Sequence, residues 1–256
     1  MRWAIRRTWR RNSVADTDHL TLAQWVSPAF PISSYAYSHG LEQAIATGDV
    51  TGPDALRAWI AAVVQDGSGL ADAVLVHATL RGEDVADWAA ALATSRERWE
   101  ETRDQGRAFA RMVDDLDRLE GAREDSWDRR REGALNGGQD GEPGGRRDRG
   151  AAGVPTDGVA YPVAFGRAAR RLDLPADVIV ARYLQAFAAN LVSAAVRLMP
   201  LGQSAGQGVL AALAPVIAAT ATRARGLGCD DIVLATPAAD LAAMCHETMA
   251  VRHFRT

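Results

Sequence analysis

The segment at residues 176–199, ADVIVARYLQAFAANLVSAAVRLM, is apolar on almost every face of the helix that its pattern predicts. A helix that is apolar all round is stable in water only when other elements cover it, so it must lie inside a larger fold. Pro200 ends the pattern because its ring cannot continue a helix, and a second apolar helical pattern begins a few residues later. These features predict a central buried helix, a short turn and a packed neighbouring helix.

The rest of the chain also has helical periodicity. After the start signal TGPD at residues 51–54, apolar residues recur three or four positions apart through residue 64. Residues 70–80, LADAVLVHATL, and residues 95–116, SRERWEETRDQGRAFARMVDDL, follow the same period. Strand-like alternation is scarce. The sequence therefore predicts an all-α protein, a single-domain multi-helix bundle.

Two charged segments are predicted to lie outside this bundle. Residues 1–19 carry five arginines and no acid before Asp16, which indicates a disordered basic extension. Residues 123–150 contain seven arginines, seven acids and seven glycines, and such a stretch cannot bury enough apolar surface to offset the entropy of ordering it. We expect a flexible loop at about residues 123–156, which interrupts a helical domain at residues 20–256.

The turn that follows the central helix, LGQSAGQ at residues 201–207, is rich in glycine and amide side chains. It could be a ligand-binding loop, a catalytic turn or a connection between helices. Ser204 and Gln207 fit the capping-box pattern of a helix start, which favours a connection. Arg197, near the end of a helix predicted to be buried, needs helix-terminal carbonyls, a carboxylate or another chain as a partner.

Composition excludes several classes of function. All 29 basic residues are arginine, so neither a P-loop lysine nor a Schiff-base lysine exists. The net charge of −3 does not indicate a nucleic-acid partner. The two cysteines, Cys229 and Cys245, form no CxxC motif and indicate reduced, cytoplasmic thiols. The longest apolar runs contain Arg, Gln or Asn, so no membrane span is expected.

The last twelve residues, CHETMAVRHFRT, raise the question of a metal site. His246 and His253 are seven residues apart, about 10.5 Å along a helix axis, which is too far for both to bind one metal ion. No metal ligand and no catalytic residue is therefore predicted. A helix starting at Thr236-Pro237 is expected to run through Arg252 and to leave residues 254–256 as a free end. Phe254 is then either a frayed end or an anchor for a partner.

Three long motifs, in order, resemble the UreF family of urease accessory proteins. They are SPAFPISSYAYSHGLEQAI, AAVRLMPLGQSAGQGVLAAL and DLAAMCHETMAVRHFRT, and together with intervening segments they span residues 20–256 apart from the charged loop. The tail VRHFRT departs from the RLFRS that is usual in the family, and PISSY lacks the family's usual glycine.

The resemblance implies an all-α, dimeric, cytoplasmic protein that is not an enzyme and has no cofactor of its own. It implies partners as well: a UreD/UreH-like scaffold, a UreG-like GTPase and the urease apoprotein, with nickel handled at most transiently as cargo. The alternative is a helical protein-interaction regulator unrelated to urease, or an enzyme with an unrecognised site at the turn. The family's matching positions imply a set of partner-binding residues: Tyr35, Ser38, Glu42, Arg197, Gln203, His246, Arg252, Phe254 and Arg255.

Overall fold

The computed structural model describes residues 14–135 and 159–256, and every regular element within these two ranges is helical. The predicted all-α fold class is thus confirmed. The helices are α1 (Val14–Trp25), α2 (Leu41–Ala46), α3 (Pro53–Asp66), α4 (Ser68–Arg81), α5 (Ala86–Ala91), α6 (Arg96–Leu135), α7 (Tyr161–Ala169), α8 (Ala176–Leu198), α9 (Gln203–Arg225) and α10 (Pro237–His246). Short 3₁₀ turns occur at Ser34–Ala36 and Cys229–Asp231.

Ten of the fourteen residues of helix α4 are buried. It packs against α7, α8 and α9, and α8 lies along α9 on the other side of the 200–202 turn. The central position predicted for α8 is only partly correct, because α8 keeps an outward face that includes Arg182 and Ser193. One continuous apolar core therefore forms around α4, with α8 as one of its walls.

An aromatic cluster joins the N-terminal and C-terminal halves of this core. The ring of Trp25 packs edge-on to that of Phe109 at a centroid distance of 5.7 Å. The ring centroid of Tyr183 lies 5.2 Å from that of Phe165 and 5.3 Å from that of Tyr161. Each such ring contributes about 1.5–3 kcal/mol through burial. These contacts hold α1, α6, α7 and α8 together around one end of the bundle.

The boundaries of the two charged segments differ from the prediction. Helix α1 begins at Val14, so the basic extension cannot reach residue 19 as a disordered segment. Helix α6 continues to Leu135, so residues 123–135 are helical and not part of a loop. Arginine and glutamate are good helix formers, and a helix that is already started propagates into them without an apolar face. The rest of the predicted extension, residues 1–13, and the rest of the predicted loop, residues 136–156, lie outside the described residues.

Two local predictions at helix ends were wrong. The capping box at Ser204 is not formed, because α9 already starts at Gln203 with Gly202 as the preceding residue and no side-chain cap. Helix α10 ends at His246 rather than running through Arg252. At the start of α9 the turn chemistry indicates a helix boundary but places it two residues too late, whereas no glycine or proline marks the end of α10.

Three stretches reach the length and mean hydropathy of a membrane span: Pro53–Arg81, Ala176–Leu198 and Gln203–Arg225. The expectation that no apolar run is long enough was therefore wrong on these two criteria. In the fold these helices pack on one another, since α9 contacts α3, α4 and α8. Their apolar character is thus used, at least in part, to form the helical core.

Candidate protein-interaction site

Residues 247–256, which we call the tail, return to the bundle after α10 and do not form a free end. Phe254 is 6% exposed and Thr256 only 2%. The backbone NH of Arg255 donates to the carbonyl of Ala36 at 2.8 Å, and the backbone NH of Ser38 donates to the carbonyl of Thr256 at 2.6 Å. The prediction of a free end is therefore wrong: the tail is bound to the segment that precedes α2 and to α2 itself.

Glu42, on α2, is the main acceptor for the tail. Its carboxylate accepts hydrogen bonds from the backbone NH groups of His253 at 2.8 Å and Phe254 at 2.9 Å. The imidazoles of His253 and His246 lie 3.0 and 3.1 Å from the same carboxylate. Burial alone would raise the pKa of Glu42, but the hydrogen bonds from His253, His246 and Phe254 outweigh it and lower the pKa. The ionised form of Glu42 is therefore the one that binds the tail.

His246, the last residue of α10, is completely buried between two carboxylates. Its Nε2 faces Glu42, and its Nδ1 lies 2.7 Å from Glu97 of α6. Carboxylates only accept hydrogen bonds, so both contacts are satisfied when the ring donates from both nitrogens. Arg252 also pairs with Glu97, which places a guanidinium against this cluster. The imidazole thus links α2, α6 and α10.

Glu101, one turn after Glu97 on α6, holds the end of the tail. Its carboxylate accepts from the Thr256 hydroxyl at 3.0 Å and pairs with Arg98 and, at 2.8 Å, with His39. Burial would raise the pKa of Glu101, but the charges of Arg98 and His39 and the hydrogen bonds lower it to about 2. We call the buried acceptors and donors around the tail the tail seat: Ser38, Glu42, Glu97, Glu101 and His246.

Arg197, near the end of α8, connects the tail to the 3₁₀ turn at Ser34–Ala36. Its guanidinium donates to the carbonyl of Tyr35 at 2.7 Å and lies 4.4 Å from the centre of the Phe254 ring. It also donates to the carbonyl of Ser193 within α8. Of the partners predicted for this arginine, carbonyl groups are the ones found, together with an aromatic face.

The predicted partner-binding residues thus divide into two groups. Ser38, Glu42, His246 and Phe254 are buried and support the tail, so the described chain gives them a structural role. Tyr35, Arg197, Gln203, Arg252 and Arg255 are exposed. Gln203 opens α9 and is not among the residues that contact the tail in the described chain. The remaining four lie on or beside the tail.

Sequence reasoning identified Glu42 but missed the two carboxylates that α6 contributes to the tail seat. Glu97, Glu101 and Gln105 precede Phe109 at intervals of four residues, so they continue the inward face of α6. The sequence shows that spacing. Charged residues are usually exposed, however, so the pattern alone favours an outward position for the two glutamates. Glu247 was also missed: its carboxylate accepts from the backbone NH of Arg96 at 2.9 Å and caps the start of α6.

Apolar side chains are exposed beside the seated tail. Leu241 and Met244 are three residues apart on one face of α10, and both are largely exposed. Val251, within the tail, is 70% exposed. These exposed apolar side chains and the exposed cations Arg252 and Arg255 are of the residue types found in protein interfaces. Within the described residues, no group of three His, Cys, Asp or Glu side chains is placed to hold a metal ion.

Comparison with known sequences identifies the family. The sequence model of the UreF family matches residues 50–214, more than half of the chain. The chain belongs to the UreF family of urease accessory proteins. It is 45% identical over 242 residues to a urease accessory protein UreF of Roseobacter denitrificans, covering 93% of both chains. The corresponding protein of Jannaschia sp. is 45% identical over 243 residues, covering 93% of this chain and 94% of its own.

The relatives extend the match beyond the family model. A urease accessory protein UreF of Dinoroseobacter shibae is 43% identical over 240 residues, covering 93% of this chain and 98% of its own. Coverage of that extent takes in most of the UreF fold described above, helices α3 to α9 included. The resemblance inferred from the three motifs is therefore confirmed at the level of the family.

Proposed function

We propose that this UreF family member acts in urease maturation as a non-enzymatic bridge between a UreD/UreH-like scaffold and a UreG-like GTPase. In this role it helps to deliver nickel to apo-urease in the cytoplasm, with nickel as cargo, and it works as a homodimer. Family membership supports the urease context. The sequence has no lysine and therefore no P-loop of its own, so in this proposal nucleotide hydrolysis belongs to the GTPase partner.

The seated tail is the observation that carries the proposal. Three carboxylates, Glu42, Glu97 and Glu101, are buried together with the His246 imidazole and fix ten residues that form neither helix nor strand. Burying charge is costly unless every group is paired. This arrangement presents Val251, Arg252 and Arg255 in fixed positions at the surface, and the preceding helix α10 exposes Leu241 and Met244. A preorganised surface of this kind binds a partner without the entropy cost of ordering a flexible tail.

The UreD/UreH-like scaffold is the partner assigned to this tail surface. Val251→Asp and Met244→Asp place a charge at its exposed apolar positions without removing any tail-seat contact. We expect each to weaken capture of the scaffold by about tenfold or more, as for hot-spot residues. Val233→Asp is the matched control, because Val233 is equally exposed, at 72%, but lies in the segment before α10.

The measurement is co-purification with a tagged UreD/UreH-like protein, followed by titration to obtain Kd. Circular dichroism and thermal midpoints establish that all three variants fold like the wild type. If Val251→Asp and Met244→Asp capture the scaffold as well as Val233→Asp does, the tail surface is not where the scaffold binds.

A further inference from the structure

A cavity of about 320 Å³ opens to the surface beside the aromatic core. It borders the tail seat, because Glu101 is part of its wall. Trp25, Tyr161 and Phe187 line it with aromatic rings. Apolar cavities of about 150 Å³ bind benzene, so a molecule of amino-acid size fits this volume. The polar groups in the wall decide which class of molecule can bind.

Asp72, on α4, places a carboxylate in this wall without a cation beside it. Within the described chain it accepts one hydrogen bond, from the Tyr183 hydroxyl at 2.8 Å, and forms no ion pair. Arg98 also lines the cavity, but its guanidinium pairs with Glu101. Burial raises the pKa of Asp72 to about 6, so at neutral pH the carboxylate is ionised. A charge withdrawn from water without a partner is costly, and a bound cation would remove that cost.

His39, in the segment before α2, supplies a second unused acceptor. The residue is 9% exposed, and its Nδ1 is buried without a hydrogen-bond partner among the described residues. Its Nε2 lies 2.8 Å from the Glu101 carboxylate, and a carboxylate only accepts, so Nε2 carries the hydrogen. Burial and the charge of Arg98 lower the pKa of His39, which keeps the ring neutral. Nδ1 is then a free acceptor on a residue that lines the cavity.

Arg182, on α8, lies at the opening of the cavity. It belongs to the lining and is exposed to solvent, and no carboxylate pairs with it within the two described ranges. A guanidinium binds a carboxylate through two parallel hydrogen bonds. The lining thus has an anion without a partner inside and a cation without a partner at the opening. A simple cation would be repelled at the opening, whereas a zwitterion matches both ends.

We propose that the cavity binds a small zwitterion of the amino-acid class, with a guanidinium at Asp72 and His39 and a carboxylate at Arg182. A guanidinium carries five N–H donors, enough for both acceptors, and its flat face stacks on aromatic rings such as those that line the cavity. The proposal goes beyond the bridging role and does not rest on it. It assigns the fold a ligand site that shares Glu101 with the tail seat.

Isothermal titration of the full chain tests the site at about pH 8, above the pKa of Asp72. The probe is free L-arginine. L-citrulline has nearly the same shape but a neutral group in place of the guanidinium, and agmatine keeps the guanidinium but lacks the carboxylate. We expect L-arginine to bind at least about tenfold more tightly than either, because each lacks one charge-assisted contact.

Two variants assign the two ends of the ligand. Asp72→Asn keeps the shape of the side chain and an acceptor for the Tyr183 hydroxyl, and we expect it to weaken L-arginine binding about tenfold or more. Arg182→Gln should weaken L-arginine binding similarly but leave agmatine binding unchanged, because agmatine has no carboxylate. Asp87→Asn, at an exposed position of α5 outside the lining, is the control and should bind L-arginine like the wild type. Thermal midpoints establish that all three variants fold like the wild type.

The absence of saturable L-arginine binding up to about 10 mM would overturn the proposal. Equal affinity for L-arginine and L-citrulline would do the same, as would L-arginine binding by Asp72→Asn at the level of the Asp87→Asn control. Unchanged L-arginine affinity in Arg182→Gln would also contradict it. Each of these results leaves scaffold capture through Val251 and Met244 untouched, because neither residue lines the cavity.

Discussion

Glu101 is nearly fully buried, and its carboxylate accepts from Thr256 and Gln105 while it pairs with Arg98 and His39. The ion pair with Arg98 requires the ionised form of Glu101. The pKa of this carboxyl is about 2 in the fold against an ordinary value of 4.5. Because the folded pKa is lower than the unfolded one, the contribution to stability is complete above about pH 4.5. It is lost as the pH falls from there towards 2.

Glu101→Gln is therefore expected to lower the free energy of unfolding at pH 7 by on the order of 3 kcal/mol. The difference between variant and wild type should shrink as the pH falls below about 4.5. Urea unfolding at a series of pH values measures both effects. Glu100→Gln, at a neighbouring exposed position of α6, should change stability little at any pH. A Glu101→Gln variant that matches Glu100→Gln at pH 7 would contradict the role assigned to the buried carboxylate.

At the scale of elements, apolar periodicity predicts the helices well. It does not predict the polar contacts between elements that are distant in sequence. The patterns at residues 56–64, 70–80 and 176–199 each correspond to a helix, because burial of one face determines those elements. The tail could not be predicted in the same way. Its seat consists of carboxylates at Glu42 and Glu101, about 200 and 150 residues away in sequence. A single sequence does not reveal which distant charges will be buried together.

Gly40 determines how closely α2 can approach α10. Its φ of 74° lies in the left-handed region, and a Cβ there would be 2.5 Å from the backbone nitrogen of Ala243. The close approach brings Glu42 within reach of His246. Gly40→Ala is expected to lower the free energy of unfolding by about 2 kcal/mol or more, through strain and through displacement of α10.

Gly48→Ala provides the comparison for Gly40→Ala. Gly48 has a similar φ of 83°, but a Cβ there would meet nothing within 4 Å, so only backbone strain of about 1 kcal/mol is expected. Chemical denaturation of both variants measures the difference. If Gly40→Ala costs no more than Gly48→Ala, the contact between α2 and α10 is not what requires a glycine.

At the scale of the whole molecule, the exposed surface of the tail, with Val251, is assigned to the scaffold partner together with Met244 of α10. Arg197 fixes the tail to the turn before α2, since it holds the Tyr35 carbonyl and stacks on Phe254. Family membership followed from the sequence motifs, whereas the division between buried support and exposed contact required the fold.

The nickel content of urease tests the central claim most directly. Urease is purified from cells that express its subunits and accessory genes with or without this gene, and its nickel is measured by mass spectrometry. We expect urease from cells lacking the gene to be largely free of nickel and inactive. The wild-type gene should restore both properties, and the Val251→Asp variant should restore much less than the Val233→Asp control. Urease with the same nickel content in the presence and absence of this gene would contradict the account.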